Sequence, residues 1–492
     1  MDFLDPRHRK AHRRRLFIGY VLMSIVVGIG TLIVLYQAYG YDIDRKGGGL
    51  IQNGIVFVDS NPAGASIYVN DVRQGRRTDT RMVLPAGVYT LRLEADGYRT
   101  WERTFSLEGG QIQRIVYPYL IPNELIISDV IRYEALPSLA TQSPDRRWVM
   151  IQKPGQLYQF DLFDLADPAK PPAVITLPVS IITSPSAQAT LKFVEWSGDN
   201  RHVLIERQYE GKTEFIMFDH ENTSESLNIN TTLGIAPISL SLRNKQWEQI
   251  YFLDAIPGTL RSGDLRARTI SAPLVLGVIT YRTSGNDIIL YATQTDVEAG
   301  QTEFRIMEAG VIYKLKVVNQ SDAYVLDVSR YEKRWYYVVG SASDNMAFVY
   351  ENPLPALKPG AKTPLIISGI LRIDNPRFAS FSDNTQYFAV QSGSEIVTIN
   401  LEDDRQYRLK LKHDIPVNQK IDWMDGHRFL YVVDGQSFIV DFDGSNEETL
   451  VTMLASVEPF FDRDFNNVYT LEPSKLDASK SALTVTKIDL AQ

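Results

Sequence analysis

The strongest constraint on this chain is an uncharged apolar run close to its N-terminus. Residues 16–41 contain no Asp, Glu, Lys or Arg, and Leu, Ile and Val dominate the segment. A helix of this length crosses the roughly 30 Å hydrocarbon core of a bilayer. It also satisfies its own backbone hydrogen bonds, as lipid requires. The run therefore predicts a transmembrane signal-anchor helix at residues 16–41.

The flanking charges predict the orientation of this helix. Residues 1–15 carry six Arg or Lys residues against two Asp residues, a net charge of +4 with neutral histidines. Such a basic flank stays in the cytoplasm, and aromatic residues prefer the headgroup level, where four tyrosines fall: Tyr20, Tyr36, Tyr39 and Tyr41. We expect a cytoplasmic basic tail at residues 1–15, a single pass through the cell membrane, and an extracytoplasmic C-terminal region.

Two other readings of the apolar run compete with an anchor. A buried core helix seldom lacks charge over so long a stretch. A cleavable signal peptide is the stronger alternative, because Ala38 and Gly40 have the small-residue spacing of a cleavage site. The apolar stretch is longer than the usual apolar h-region of a signal peptide, about 7–15 residues, and this favours the anchor.

Composition limits the classes of partner and chemistry. The chain carries −8 overall and its first fifteen residues carry +4, so residues 16–492 carry −12. An acidic exported body argues against nucleic acid or anionic lipid as the main partner. The sequence has no cysteine, which excludes disulfides, thiol catalysis and thiolate metal sites. A bacterial or archaeal envelope therefore fits better than a disulfide-rich animal ectodomain.

A small β-domain is predicted after the anchor. Residues 42–54 mix charges with three consecutive glycines and indicate a flexible juxtamembrane linker. Apolar and polar residues then alternate, most clearly at residues 66–70 and 88–94, as in half-buried strands. Turn-forming sequences at residues 61–64, 85–87 and 96–97 separate these runs.

Three motifs in this segment resemble the PEGA family of small surface-associated β-sandwiches. They are residues 62–65 (PAGA, with Ala63 where the family has Glu), the LPAG turn at residues 84–87, and ADGY at residues 95–98. The resemblance implies a PEGA-like sandwich at residues 55–120 that faces the envelope, and it brings no catalytic residues. The turns themselves predict positive φ at Gly87 and Gly97, with Pro85 presetting φ before a strand.

From residue 121 onwards one pattern recurs: a strand, a polar turn with Asp or Asn, and a strongly apolar strand. Seven clear copies and one weaker copy are spaced by about 38–54 residues, the length of a four-stranded propeller blade. The clear copies are residues 143–150, 196–204, 281–290, 328–337, 381–390, 423–430 and 461–469, and the weaker one is residues 242–251.

The repeats predict a β-propeller at residues 121–492, with eight blades and seven as the alternative. Radial stacking buries both faces of each sheet and protects the edges. The Ser-Pro-Asp turn at residues 143–145 and the Phe-Ser-Asp turn at residues 381–383 resemble the repeats of TolB-like and WD40-like propellers. Residues 124–130 are expected to close the last blade by pairing with residues 482–490. A pair of β-sandwiches is the main rival to this mainly β architecture.

No catalytic or metal-binding motif is apparent in the sequence. The six histidines lack metal-ligand spacing, and there is no H-E-x-x-H, G-x-S-x-G or phosphate-loop motif. The acidic segment at residues 441–448 lacks EF-hand spacing and favours a hairpin over a calcium loop. We therefore predict no catalytic, cofactor-binding or metal-binding residues, and no cofactor.

Aromatic residues offer one further possibility. Five tryptophans recur at equivalent repeat positions, which favours core or blade-contact roles: Trp148, Trp196, Trp247, Trp335 and Trp423. An exposed Trp101, or the tyrosines of the small domain, would instead offer a surface for glycan stacking.

Three functions are compatible with these observations. The favoured one is a non-enzymatic, membrane-anchored scaffold that presents a propeller for protein, glycan or cell-wall binding, with no nucleic-acid partner. An envelope enzyme of the glycosidase or lyase type, with a site in the central funnel, is the alternative. A sensor is disfavoured because a tail of about fifteen residues carries no signalling domain. An acid/base cluster in the funnel would favour catalysis, whereas an apolar or aromatic rim would favour binding.

Overall fold

The computed structural model describes residues 6–38, 41–43, 50–186, 188–285, 287–453, 457–477 and 480–489. Within these residues the chain forms two compact units, one that extends to Glu124 and one that begins at Leu125. The first unit begins with helix α1 (Pro6–Ala38). Its segment Arg13–Tyr36 has a mean hydropathy of 2.5 and is long and apolar enough to cross a membrane.

The helix differs from the predicted span at both ends. It starts at Pro6, within the basic tail, because Arg and Lys are good helix formers and proline is favoured in a first helical turn. At the other end α1 stops at Ala38, and Tyr41 already belongs to a strand. Absence of charge therefore located the apolar segment but not the ends of the helix.

Eight strands of the first unit form two four-stranded sheets, β1-β2-β5 with β8 on β2, and β4-β3-β6-β7. The strands are β1 (Tyr41–Ile43), β2 (Leu50–Val58), β3 (Ser66–Val69), β4 (Val72–Arg77), β5 (Thr80–Pro85), β6 (Gly87–Glu94), β7 (Trp101–Leu107) and β8 (Ile112–Ile115). Alternate residues face the shared core, where Val56, Ile67 and Leu91 are fully buried. The alternation predicted at residues 66–70 and 88–94 corresponds to β3 and β6.

Three details of the small domain differ from the sequence prediction. Part of the expected flexible linker is strand, since β2 begins at Leu50. Gly54 allows close packing in this strand, because a Cβ there would lie 2.7 Å from Leu107 Cγ. Gly97 has φ +83° as predicted, but Gly87 begins β6 without positive φ. The three consecutive glycines of the predicted linker, residues 47–49, lie outside the described residues.

The second unit is a β-propeller, and within the described residues its strands form eight four-stranded blades. Blades 1 to 4 are β10 (Ala140–Gln142), β11 (Trp148–Gln152), β12 (Gln159–Asp164) and β13 (Ala173–Thr176); β14 (Thr190–Trp196), β15 (His202–Tyr209), β16 (Lys212–Asp219) and β17 (Leu227–Asn228); β18 (Ser239–Leu242), β19 (Gln249–Leu253), β20 (Gly258–Asp264) and β21 (Thr269–Ile270); and β22 (Val275–Ser284), β23 (Ile288–Thr293), β24 (Gln301–Glu308) and β25 (Val311–Asn319).

Blades 5 to 8 have the same order from first to last strand. They are β26 (Tyr324–Tyr331), β27 (Arg334–Ser341), β28 (Met346–Glu351) and β29 (Ile366–Arg372); β30 (Phe378–Phe381), β31 (Tyr387–Ser392), β32 (Glu395–Asn400) and β33 (Gln406–Lys410); β34 (Asp422–Trp423), β35 (Arg428–Val433), β36 (Gln436–Asp441) and β37 (Glu448–Thr452); and β38 (Phe460–Phe461), β39 (Asn467–Pro473), β40 (Ser481–Lys487) and β9 (Ile126–Tyr133). Of two short helices, α2 (Ile229–Leu233) connects blades 2 and 3, and α3 (Leu354–Leu357) connects the third and fourth strands of blade 5.

The last blade closes as the sequence predicted, because β9 comes from the start of the unit and β40 from its end. The two strands pair antiparallel from Ser481 opposite Tyr133 to Lys487 opposite Ile126. The predicted partner Leu490 lies outside the described residues. Blades 3 and 4 share a continuous sheet, since β20 also pairs with β22.

Each sequence repeat marks the turn between the first and second strands of a blade. In blade 1 the Ser143 hydroxyl donates to Asp145 Oδ1 at 2.5 Å and accepts from Trp148 N at 2.9 Å. Arg146 in this turn has a positive φ of +61°, and Thr385 in the matching turn of blade 6 has a positive φ of +58°. A side chain that bonds the local backbone, followed by a left-handed residue, explains why these turns favour Ser with Asp or Asn.

The repeated tryptophans are packed between blades, as predicted. Trp196 is 5% exposed, and its Nε1 donates to Thr141 Oγ1 of blade 1 at 2.9 Å. His220 lies beside both Trp148 and Trp196, with ring centroids 5.3 and 5.7 Å away. These side chains fill the space where consecutive blades meet, which leaves the polar residues of the first strands as candidates for function.

Candidate functional site

The first strand of each blade lines the centre of the propeller. Contacts between first strands of consecutive blades, β14 with β18, β22 with β26 and β26 with β30, place these strands around one axis. Propellers commonly place ligands in this channel. The polar residues of the first strands are therefore the candidate site.

A cavity of about 620 Å³ lies against the first strands of blades 2, 3 and 4. Its polar lining consists mainly of hydroxyls, with one carboxylate, one amide and two cationic side chains: Glu195, Ser239, Ser241, Asn244, Lys245, Thr280, Tyr281, Arg282, Thr283 and Ser284. This volume falls within the usual range for small-ligand sites. Such a lining offers both hydrogen-bond donors and acceptors, so it suits a polar ligand better than an apolar one.

Several of these groups are held in place before any ligand arrives. Glu195 Oε1 accepts a hydrogen bond from Leu242 N at 2.6 Å, and its other oxygen pairs with Lys245. Tyr281 Oη lies 3.1 Å from Ser241 Oγ, and burial raises the pKa of this phenol above its usual range. The tyrosine therefore remains protonated, and the serine hydroxyl has a fixed partner.

Blade 5 contributes a carboxyl group with altered acidity. Burial raises the pKa of Asp327 to about 6, against the opposing effect of the Arg282 guanidinium. Asp327 Oδ1 accepts from its own strand at Val328 N, 2.9 Å away. A carboxyl group that titrates near neutrality beside an arginine is a feature of both binding and catalytic sites.

A second cavity, of about 580 Å³, lies beside blade 7 and includes Lys420 and Glu458 in its lining. The surrounding protein and the neighbouring Asp422 carboxylate raise the pKa of Glu458 to about 7, although this side chain meets solvent. Lys420 forms an ion pair with Asp422. A carboxyl group with a pKa near 7, beside a second carboxylate and an ammonium group, can take up or release a proton near neutral pH.

Arg146 spans part of the channel at the end where the repeat turns lie. Its Nη2 donates to Asp383 Oδ2 of blade 6 and to Met424 O of blade 7, both at 3.0 Å. Its guanidinium also lies 3.9 Å from the ring centroid of Phe465 in blade 8. One side chain of blade 1 thus links blades 6, 7 and 8, whereas the larger cavity lies against blades 2 to 4.

We expect Asp327→Asn to make stability less dependent on pH. Because the pKa of Asp327 is raised in the folded state, the stability it contributes is complete below about pH 4 and is lost as pH rises through about 6. The wild type should therefore lose on the order of 2 kcal/mol over this interval relative to the variant. Urea unfolding at about pH 4 and about pH 7 measures the difference.

The matched control for this prediction is Asp296→Asn. Asp296 is exposed in a turn at φ +59°, a conformation that asparagine also adopts. An equal pH dependence in the wild type and in Asp327→Asn would contradict the assignment of this titration to Asp327.

The sequence-based expectations about chemistry met different outcomes. Residues 441–448 form a hairpin between β36 and β37, as predicted. The described residues include no group of three or more His, Cys, Asp or Glu side chains arranged to hold a metal ion. Trp101 is buried rather than exposed, at 2%, because it starts the inward-facing alternation of β7, and it packs edge-on against Tyr117 at 5.9 Å. It therefore offers no glycan-stacking surface.

Sequence reasoning named none of the polar residues that line the larger cavity. The available signal was weak: hydroxyl and charged residues on the first strand of a blade, next to a second strand that is mostly apolar. Thr280, Arg282 and Ser284 alternate in this way along β22, whereas every residue of β23 is buried.

Comparison with known proteins gives one family assignment. The PEGA domain family model matches residues 53–118, so the small sandwich is a PEGA domain. No curated protein matches the chain.

Solved structures similar to this chain include two propellers. One is the β-propeller domain of Cps50 (Swd1) from Myceliophteria thermophila, with 13% identity and a TM-score of 0.38, over 65% of this chain and 97% of that one. The other is an oligogalacturonate lyase from Vibrio parahaemolyticus, with 8% identity and a TM-score of 0.35, over 74% of this chain and 98% of that one.

Proposed function

We propose that this chain is a single-pass envelope protein whose propeller binds a polar ligand, a glycan or a polypeptide segment, in its central cavity. The observation that carries the proposal is the cavity of about 620 Å³ lined by first-strand hydroxyls, Glu195, Lys245 and Arg282. Helix α1, with its basic flank, supports an anchor with the N-terminus in the cytoplasm. The PEGA match supports an extracytoplasmic location for the remainder.

The lining explains why binding is the preferred function. Hydroxyl groups that are already oriented, together with charges of both signs, recognise sugars and peptide backbones through short hydrogen bonds. Glu195 and Lys245 neutralise each other, so the cavity does not demand a strongly charged ligand. Both side chains are already held in position by their partners, which reduces the entropy cost of ordering them when a ligand binds.

The test is binding of wild type and Ser241→Phe to panels of envelope glycans and synthetic peptides. The phenyl ring would occupy the cavity beside Tyr281, so we expect at least about a tenfold loss of affinity for any ligand found. Thr269→Phe, on the exposed outer strand β21, is the matched control and should bind as the wild type does. Equal binding by Ser241→Phe would exclude this cavity as the site.

Acid–base catalysis is a second candidate, favoured by the raised pKa of Glu458 beside Asp422. Two carboxylates near an ammonium group provide the groups that a glycosidase-type or lyase-type reaction requires. The same glycan panels decide between the functions, because cleavage products formed by the wild type would favour an enzyme over a scaffold.

A further inference from the structure

The outward face of the β2 sheet in the PEGA domain is apolar where a solvated sheet face is usually polar. Val56 and Val58 point into the core, so Ile55 and Phe57 point outward. Val83 on β5 and Ile112 on β8 lie on either side of Ile55 in register. Each of these two flanking side chains is 55% exposed. Apolar residues therefore form a continuous row across three strands.

The next row along the same face is basic. Arg81 on β5 and Arg114 on β8 lie on either side of Phe57, and the Arg114 guanidinium lies 5.1 Å from the Phe57 ring centroid. Arg76 joins this row, since its Nη1 donates to Arg81 O at 3.3 Å.

These three arginines are not used in ion pairs. Across the described part of the chain, no carboxylate lies within 4.0 Å of Arg76, Arg81 or Arg114, whereas Arg92 of the other sheet pairs with both Asp71 and Glu94. An apolar row bordered by unpaired arginines combines the two features that hold a protein surface against an anionic membrane: apolar contact and attraction to phosphate.

Chain connectivity indicates which surface this face meets. Helix α1 ends at Ala38, and β1 (Tyr41–Ile43) pairs with the first three residues of β2. The sheet that carries the face therefore begins within three residues of the end of the apolar helix. So short a link keeps the face at a high effective concentration beside the bilayer that holds the helix.

We propose that this face lies on the anionic surface of the membrane in which α1 is anchored, with the apolar row at the headgroup boundary and the arginines on lipid phosphates. The inference rests on the proposed anchor. The net acidity of the body argued against anionic lipid as its main partner, but attraction to a surface depends on charge within about a Debye length, roughly 8 Å. The face consists of Ile55, Phe57, Val83 and Ile112 with Arg76, Arg81 and Arg114.

The absence of cysteine allows a direct test with the full-length chain. Ile112→Cys carries an environment-sensitive fluorophore on the proposed face. Val88→Cys is the matched control, because Val88 is 68% exposed at the start of β6 in the other sheet. Both proteins are reconstituted in vesicles of phosphatidylcholine alone and of phosphatidylcholine with one third phosphatidylglycerol.

The expected result is a blue-shifted, enhanced emission at position 112 in the anionic vesicles, with no shift at position 88. Replacing Arg76, Arg81 and Arg114 by Gln should lower the equilibrium constant for the lipid-bound state by about fivefold for each arginine. High salt should reproduce part of this loss, since it screens exposed charges.

Three results would overturn the inference, and flotation of the vesicles separates them. A chain that floats with the vesicles while both labels remain equally exposed to water retains its anchor but lacks the proposed contact. A label at position 112 that is equally protected in neutral vesicles shows that the face does not depend on anionic lipid. Failure of the chain to float, together with its release by alkaline carbonate, would contradict both the proposed anchor and this inference.

Discussion

Replacing Glu214 by alanine is expected to lower the free energy of unfolding of the propeller by about 3–5 kcal/mol. The Glu214 carboxylate is only 2% exposed and accepts a hydrogen bond from Arg207 Nη1 at 2.5 Å. Arg207 is fully buried, so removing its partner leaves a desolvated guanidinium without a counter-charge. Chemical denaturation followed by circular dichroism measures the loss.

The remaining contacts of this pair explain why the structure cannot easily relax around the change. Glu214 Oε2 accepts from Thr183 Oγ1 and Asn228 Nδ2, both at 2.7 Å, and Arg207 Nη2 donates to Ser184 O at 2.6 Å. Residues 183–184 belong to the connection between blades 1 and 2. The ion pair therefore fastens this connection to the sheet of blade 2, and its loss should release the segment.

Two further variants separate the charge effect from a general effect of truncation. Glu221→Ala removes an exposed carboxylate 3.6 Å from Arg201 and should cost less than about 1 kcal/mol. The double variant Arg207→Met with Glu214→Leu removes both charges and should regain much of the stability lost in Glu214→Ala. A Glu214→Ala variant no less stable than Glu221→Ala would show that the pair contributes nothing to folding.

Features with a local cause were predictable from the sequence. The polar turn in blades 1, 2, 6, 7 and 8 depends on a serine or aspartate side chain that accepts a bond from the local backbone, as Ser143 does, so these blade positions could be located without the structure. Strand alternation identified β3 and β6 because burial repeats every second residue. The pairing of β9 with β40 was also predictable, because a strand left unpaired at each end of a repeat array favours closure.

Features that depend on distant residues were not predictable. Arg207 and Glu214 look like ordinary charged positions on two strands, and only the fold places residues 183–184 over them. Trp101 looked available for glycans until the register of β7 turned it inward. The outward row of Val83, Ile55 and Ile112 comes from three strands that are separated in sequence. No single strand shows that these residues are neighbours or that together they form an apolar row.

Replacing Leu483 by proline is the second change for which we expect a large effect. Leu483 is fully buried in the centre of β40, opposite Leu471 of β39 and Ile131 of β9. Proline has no N–H to donate and is not tolerated within a central strand, so the cost should be about 3 kcal/mol or more. Thermal unfolding followed by circular dichroism should show a lower midpoint.

The matched control is Leu476→Pro, in the connection between β39 and β40. Leu476 is 72% exposed, and its N–H donates to Ser474 Oγ at 3.2 Å. Losing this one solvent-exposed bond should cost no more than about 1 kcal/mol. A Leu483→Pro protein as stable as this control would contradict the pairing of β40 with its two neighbours.

The location of the damage in Leu483→Pro would separate a closed ring from an open array. In an open array each repeat contacts only its neighbours, so damage at the last repeat would spread inward from that end alone. In the closed propeller β9 leads directly towards blade 1, and Gln142 Nε2 of blade 1 also donates to Phe461 O of blade 8 at 2.7 Å. Hydrogen exchange in Leu483→Pro should therefore accelerate in blade 1 as well as in blade 7, whereas acceleration confined to blades 7 and 8 would contradict closure.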